Sequence, residues 1–408
     1  MRNDPSVHGL SACGSGLCLE WWRCRNIVWR EAPARSATIA RLDEVKLTER
    51  LIAFDTATPA GLGPALDFVE GWLEGCGARV ERRTFGDRDC IVARVGSGTQ
   101  RVIFHGHLDV VPGRADQYRA RIEDGRVYGR GAYDMKGALA AMMLATADLA
   151  KGLVGAVVEF VVVPDEERSE PGPNCTEMLV AEGLRADFVI CGEPTDMQVG
   201  VQAKGVLMLR AEIEGVAAHG STPWLGQSAI LAGVDRYRAI DALPFALQST
   251  ELFARPSINL GRITGGDAIN KVPDQCRLDI DVRYLPGQDP DDVLAQIRGL
   301  GDWQVEVLVQ RPPAYVDPAD PFVQLLLQAI GSYEPTATSV GRDGASDAVG
   351  FLAAGVPAVE FGPRGAGHHG PAEYVEAACL ASYRQSLVDF AGLVGRRILE
   401  HPSGLTAA

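Results

Sequence analysis

The segment Arg101-Val-Ile-Phe-His-Gly-His-Leu-Asp109 joins a short apolar run to a loop that carries histidine and aspartate. Residues 157–163 and 187–190 are two more runs rich in β-branched and aromatic residues, and acidic residues follow each of them. Strands buried on both faces of a parallel sheet show this near-continuous apolarity. Apolar residues at helical spacing lie between these runs, above all in the Ala-, Leu- and Met-rich stretch 135–149. The alternation predicts an α/β domain with a largely parallel sheet.

The pattern changes near Lys204. From there to residue 309 the order is an alternating strand, a helix, two strands, a helix and a strand, which is the β-α-β-β-α-β order of a ferredoxin-like unit. After Pro312-Pro313 the α/β pattern returns. The predicted organisation is a poorly ordered N-terminal extension (1–40), the first part of an α/β domain (41–204), an inserted domain (205–311) and the second part of the α/β domain (312–408).

Charge and composition argue against several classes of function. The 408 residues include 39 Lys and Arg against 53 Asp and Glu, a formal net charge of −14, and no basic stripe suits a phosphate backbone. No run approaches the roughly 18–20 apolar residues of a membrane helix. Nine cysteines, odd in number and irregular in spacing, indicate reduced thiols. We therefore expect a cytoplasmic protein that binds neither nucleic acid nor membrane.

Five segments of the α/β domain end in residue types that bind metals. A lone histidine or glutamate near a strand end is usually a surface residue, but here several follow predicted strands, at the sheet edge where α/β proteins bind ligands. Imidazoles and carboxylates that converge there form a mixed N/O site suited to Zn²⁺ or a similar divalent ion. The segments are His107-Leu-Asp109, Asp134-Met-Lys-Gly137, Asp165-Glu166-Glu167, Gly192-Glu193-Pro194 and His368-His369.

Four blocks resemble, in order, the signature motifs of the M20 metallopeptidases. That family includes acetylornithine deacetylase, succinyl-diaminopimelate desuccinylase and glutamate carboxypeptidase, and the resemblance spans roughly residues 45–395. It implies a zinc-peptidase-like α/β catalytic domain with an inserted ferredoxin-like (βαββαβ) lid and dimerisation domain. The blocks are His105-Gly-His107-Leu-Asp109-Val-Val-Pro112, Gly129-Arg-Gly131-Ala-Tyr-Asp134-Met-Lys-Gly137, Pro164-Asp-Glu166-Glu167 and Cys191-Gly-Glu193-Pro-Thr195.

The resemblance implies a two-metal site. One ion would be bound by His107, Asp134 and Glu193, and the second by Asp134, Glu167 and His369, with Asp134 bridging. Zinc is expected, and Co²⁺ or Mn²⁺ would also suit these donors. Two ions about 3.5–4 Å apart can activate a shared water and polarise a carbonyl.

Further roles follow from the same resemblance. Glu166 would be the general base, and Asp109 would hydrogen-bond His107 from behind and fix its tautomer. The Asp134–Met135 peptide bond is expected to be cis. His368 and His369 are adjacent and either could be the ligand, but the family's spacing to a following Glu favours His369.

The inserted domain is expected to supply substrate contacts. By resemblance, His219 would reach a partner subunit's substrate carbonyl, and Asn270 and Arg283 would hold a substrate carboxylate. Otherwise His219 would cap a turn and Arg283 would pair with Asp279 or Asp281. Two more residues, at the positions where the family contacts the substrate, are candidate pocket residues: Ser346 and Asp347.

The resemblance therefore implies a two-zinc hydrolase that forms a homodimer through its lid domain. It would cleave the amide bond of a small, carboxylate-bearing N-acyl amino acid (deacetylase or desuccinylase type), with Glu166 as the general base for a metal-activated water. A metallo-carboxypeptidase or dipeptidase of the same family stays open, because the shared motifs build the metal centre and not the specificity pocket. A non-catalytic, metal-stabilised binding protein is a remote alternative, since no motif residue is missing. The insertion between Lys204 and Arg311 argues against a single-domain zinc aminopeptidase.

Overall fold

The computed structural model describes residues 43–168, 172–344 and 346–400. The predicted N-terminal extension, 1–40, lies outside them. The helices are α1 (Glu44–Ile52), α2 (Pro59–Gly75), α3 (Gly137–Leu149), α4 (Cys175–Ala181), α5 (Ala229–Ile240), α6 (Pro290–Arg298), α7 (Pro321–Ile330), α8 (Ala348–Ala353) and α9 (Ala377–Glu400). The strands are β1 (Arg79–Phe85), β2 (Arg88–His107), β3 (Arg121–Glu123), β4 (Arg126–Tyr128), β5 (Val154–Val163), β6 (Phe188–Cys191), β7 (Val199–Ala203), β8 (Gly205–Glu214), β9 (Ser257–Gly265), β10 (Gln275–Tyr284), β11 (Gln304–Arg311), β12 (Ala314–Tyr315), β13 (Ser339–Arg342), β14 (Ala358–Glu360), β15 (Gly365–Ala366) and β16 (Tyr374–Glu376).

The larger sheet has eight strands in the order β1-β2-β6-β14-β7-β12, with β5 beside β2 and β13 beside β7. Strands β2, β5, β6 and β14 are paired in parallel, whereas β1 and β12 are antiparallel strands at the margins. Phe104 of β2 lies opposite Phe160 of β5 and Ile190 of β6, and all three are fully buried. The predicted α/β fold with a largely parallel sheet is confirmed.

Helix α3 lies in the core between the sheet and the neighbouring helices α1 and α9. Its Ala, Leu and Met side chains are buried on all sides, which explains why the stretch shows no polar face. The predicted buried helix is therefore present and begins at Gly137. Within the described residues, no helix has the length and apolarity that a membrane crossing requires.

A second, antiparallel sheet has the order β11-β8-β10-β9, and α5 and α6 pack on it around a separate core. The chain order β8-α5-β9-β10-α6-β11 matches the predicted β-α-β-β-α-β pattern. Strand β9 forms one edge and its residues are mostly exposed, whereas β11 forms the other edge. At the junction with the larger sheet, the Lys204 ammonium donates to Ser257 Oγ at 2.8 Å and pairs with Asp343 at 2.8 Å.

Candidate metal centre

Three parallel strands end at the same edge of the larger sheet. His107, the last residue of β2, lies opposite Val163, the last residue of β5, and Glu166 and Glu167 follow within the next four residues. Strand β6 ends at Cys191, two residues before Glu193. Parallel pairing therefore brings together ligand-type residues that the sequence separates by up to 86 positions (107 to 193).

The first donor group contains His107, Asp134 and Glu193. Their candidate ligand atoms all lie within 4.8 Å of one another, and all three residues are buried. His107 Nε2 lies 3.0 Å from Asp134 Oδ1. One nitrogen and two carboxylates at this spacing suit a zinc-type ion.

The second donor group is built around the other oxygen of Asp134. His369 Nε2 lies 2.8 Å from Glu167 Oε1 and 3.3 Å from Asp134 Oδ2. His368 Nε2 also lies 2.5 Å from Asp134 Oδ2. Both histidines therefore reach Asp134, and His369 also contacts Glu167.

Glu166 adjoins the second donor group, and with His107 and Glu167 it forms another set of candidate metal ligands. Its carboxylate falls within the same 4.8 Å limit as donor atoms of His107 and Glu167, and it lines the cleft above the site. The carboxylate of Asp109 fixes the loop, because it accepts the backbone N–H groups of Glu166 at 3.2 Å and Glu167 at 2.8 Å. A carboxylate held here can exchange a proton with a reacting group in the cleft.

Asp109 also contacts the imidazole of His107. The backbone oxygen of Asp109 lies 3.0 Å from His107 Nδ1, whereas its carboxylate lies 3.5 Å away. Nδ1–H therefore points to the backbone carbonyl, and Nε2 is left free to bind a cation.

Burial and hydrogen bonding shift the pKa values of several donors in the cluster. Burial raises the pKa of Glu193 and of Glu166 well above the usual carboxyl range. Burial alone would lower the pKa of His107, but hydrogen bonds to Asp109 and Asp134 outweigh it and raise that pKa well above its ordinary value. Contacts with Asp134 and Glu167 raise the pKa of His369 to about 10. Because metal ligands must be deprotonated, divalent cations would compete with protons for these donors, so the donors fit the metal site that the sequence implies.

Glu373 holds the loop that carries Asp134. From the sequence, this glutamate served only to favour His369 over His368 as the ligand. The Asp134–Met135 bond is cis, as predicted. The buried carboxylate of Glu373 accepts the backbone N–H groups of Gly131, Tyr133 and Asp134 at 3.0–3.1 Å. It also pairs with the buried Arg130 guanidinium at 2.7 Å. Only its position four residues after His369 hinted at a role.

Replacing this carboxylate by an amide should loosen the metal site. In Glu373→Gln, the new NH₂ group would face either the backbone N–H groups of Tyr133 and Asp134 or the N–H groups of Gly131 and Arg130. In both orientations, hydrogen-bond donors would face each other without an acceptor. Outer-shell changes of this kind typically weaken metal affinity or activity about 10–100-fold. Zinc titration with a competing chelator measures the effect, with Glu376→Gln, three residues further on at the end of β16, as control. Equal zinc affinity in the two variants would contradict the role of Glu373.

A cleft of ≈ 1310 Å³ opens above the cluster and extends between the two sheets. Ser346 and Arg283 line it, on the catalytic and inserted domains respectively. The Arg283 guanidinium forms two bonds with Asp281, at 2.8 and 3.0 Å, which is one of the alternative pairings considered from the sequence. Arg283 is thus at the cleft but already holds a carboxylate of its own chain.

The other candidate substrate residues do not line this cleft. Asp347 is buried and accepts hydrogen bonds from Asn174 at 2.5 Å and Thr176 at 2.6 Å, and it does not line the cleft. His219 and Asn270 are exposed on the inserted domain, where His219 Nδ1 accepts the backbone N–H of Ser221 at 3.2 Å, as in a turn cap. Neither lines the cleft of its own chain.

A mixed α/β fold that gathers imidazoles and carboxylates at the open edge of its sheet belongs to the class of metal-dependent hydrolases. The family model for Peptidase family M20/M25/M40 matches residues 103–392, which is most of the chain. The chain therefore belongs to this family and is a metal-dependent amidohydrolase.

The chain is similar along most of its length to two kinds of bacterial deacylase. It is 29% identical to succinyl-diaminopimelate desuccinylase from Caulobacter sp. (strain K31), covering 85% of this chain and 95% of that protein. It is 31% identical to acetylornithine deacetylase from Myxococcus xanthus, covering 78% and 88% respectively.

Solved structures share the fold. A tripeptidase from Staphylococcus aureus has a TM-score of 0.72 at 22% identity, covering 86% of this chain and 98% of that one. An M20 family metallo-carboxypeptidase from Sulfolobus solfataricus has a TM-score of 0.70 at 18% identity, covering 87% and 100%.

Proposed function

We propose that this protein is a two-zinc deacylase that cleaves the amide bond of a small N-acyl amino acid. The observation that carries the proposal is Asp134, whose two carboxylate oxygens face separate donor groups. His107 and Glu193 would complete one ion site, and Glu167 and His369 the other. The similarity to desuccinylases and deacetylases favours an acyl amide over a peptide bond as the substrate.

Bound divalent ions would supply an activated water and polarise the amide carbonyl. Glu166 would take the proton from the attacking water and pass it to the leaving nitrogen. Asp109 would hold the Glu166 backbone so that its carboxylate stays at the cleft. Arg283 would bind the amino-acid carboxylate of the substrate, exchanging its present contact with Asp281 for a substrate contact. Ser346 lines the same cleft and is a candidate substrate contact. Asp347 would support the substrate pocket indirectly, through its hydrogen bonds with Asn174 and Thr176.

The test is a comparison of substrates on one zinc-loaded preparation. N-succinyl and N-acetyl derivatives of ornithine and diaminopimelate would be assayed beside dipeptides and N-acyl glutamates. Amine release from acyl amino acids well above that from dipeptides supports the proposal. Preferential cleavage of dipeptides would overturn it in favour of the dipeptidase alternative, and no turnover of any compound would favour a binding protein.

We also propose that two chains pair through the inserted domain. Strand β9 is an exposed edge with unpaired backbone groups, which a second copy can extend. His219 and Asn270 lie on this domain away from their own cleft, so a partner's cleft would be the place where they act. Exposed apolar side chains on the same domain support a contact surface: Val216, Trp224, Leu225, Leu231, Ile263 and Ile269.

Mixed dimers should reveal action in trans. His219→Ala and Glu166→Gln chains, each nearly inactive alone, would be co-expressed with different tags. A mixed dimer contains one cleft with both Glu166 and His219, so random pairing should restore roughly a quarter of wild-type activity. Size-exclusion chromatography with light scattering gives the oligomeric state. No recovery in purified mixed dimers, or full activity of a monomer, would contradict the proposal.

A further inference from the structure

Arg342 is another arginine that lines the cleft, and it lies on the larger sheet, whereas Arg283 lies on the inserted domain. It is the last residue of β13, its side chain is 29% exposed, and its Nε donates to Glu360 Oε2 at 2.9 Å. A Cβ atom at Gly200 would lie 2.8 Å from Arg342 Cγ and 3.1 Å from Glu360 Cβ. The missing side chain at Gly200 therefore makes room for this arginine–glutamate pair.

The guanidinium of Arg342 retains free hydrogen-bonding capacity. An arginine has five N–H donors, and among the described residues Glu360 is the one hydrogen-bond partner of the Arg342 guanidinium. Arg283, in contrast, is already paired through two nitrogens with Asp281. The Arg342 guanidinium can thus bind a carboxylate without breaking an existing hydrogen bond, while Glu360 keeps that guanidinium in place.

Arg342 also lies close to the metal cluster. Glu360, its partner, lines the same cleft, and the charges of Glu193 and Glu360 both act on Arg342. A group bound by Arg342 would therefore lie in the same cleft as an amide carbonyl held at Glu193. The planar fork of arginine suits a carboxylate rather than a neutral methyl group.

We propose that Arg342 binds the terminal carboxylate of a dicarboxylic acyl group, with succinyl as the type, and so selects succinylated over acetylated substrates. The inference rests on the proposed deacylase function and on Arg283, of the inserted domain, taking the amino-acid carboxylate. The two arginines would then hold the two ends of one substrate across the metal cluster.

The test compares N-succinyl and N-acetyl derivatives of the same amino acid. In Arg342→Gln, kcat/KM for the succinyl substrate should fall about 10–100-fold, the usual effect of losing hydrogen bonds to a charged group, while the acetyl substrate changes little. Arg342→Lys keeps the charge but not the fork and should lie between. Arg311→Gln, which removes another arginine that lines the cleft, should leave the succinyl-to-acetyl ratio unchanged.

A substrate change tests the same contact without any variant. For an N-succinamyl derivative, which has a neutral carboxamide at the acyl end, kcat/KM of the wild-type protein should fall by the same factor. This measurement covers the case that Arg342→Gln does not fold. An unchanged ratio in both experiments would overturn the inference and leave the deacylase proposal intact. An equal fall for succinyl and acetyl substrates would overturn it too, by assigning Arg342 to the amino-acid end. If the wild type cleaves neither compound, the deacylase proposal itself fails.

Discussion

Glu166→Gln is expected to lower kcat by about 10²–10⁴-fold, the range of general acid–base catalysis, and to leave the metal content unchanged. The amide has nearly the same shape as the carboxylate but cannot accept a proton. Glu166 is outside both proposed ion sites, and its backbone N–H would still bind Asp109 at 3.2 Å. Turnover and bound zinc, measured on the same preparation, separate loss of proton transfer from loss of metal.

The control is Glu182→Gln, which changes an exposed glutamate that pairs with Arg83 outside the cleft. It should keep full activity. If Glu166→Gln loses zinc together with activity, Glu166 is a ligand and its assignment as base is wrong. If it retains activity, another group transfers the proton.

The parts of the site that local sequence predicts are those set by strand ends. His107 ends β2, and Glu167 and Glu193 follow β5 and β6 within four residues, so parallel pairing alone brings them together. The strand and helix order of the inserted domain was predictable for a similar reason, because alternating and helical periods are local signals.

Long-range contacts could not be predicted from the local sequence. Glu373 bonds to a loop 240 residues earlier, and nothing in either segment shows that its carboxylate satisfies three N–H groups there. Arg283 had two possible acidic partners two and four residues away on its own strand, and only the structure selects Asp281. The space that Gly200 leaves for Arg342 likewise depends on two strands far apart in the chain, and no spacing in the sequence indicates it.

Asp134→Asn is expected to empty both ion sites and abolish turnover. One oxygen of Asp134 faces His107 at 3.0 Å and the other faces His369 at 3.3 Å, so a single change removes charge from both donor groups. The loss should exceed the roughly 10–100-fold that outer-shell changes such as Glu373→Gln cause, because a ligand itself is altered. Zinc per chain, measured after dialysis, should fall towards zero. Added Zn²⁺, Co²⁺ or Mn²⁺ should restore a chelator-treated wild type but not this variant.

The matched control is Asp116→Asn, an exposed aspartate that pairs with Arg114 away from the cluster, which should keep its metal and activity. Glu193→Gln sharpens the comparison, since Glu193 belongs to the donor group of His107 alone. It should lose about half of the bound metal, whereas Asp134→Asn should lose nearly all of it. If both variants lose the same single equivalent, Asp134 does not bridge, and the cluster holds one ion rather than two. A carboxylate with both oxygens committed to different imidazoles is the geometric reason to expect the larger loss.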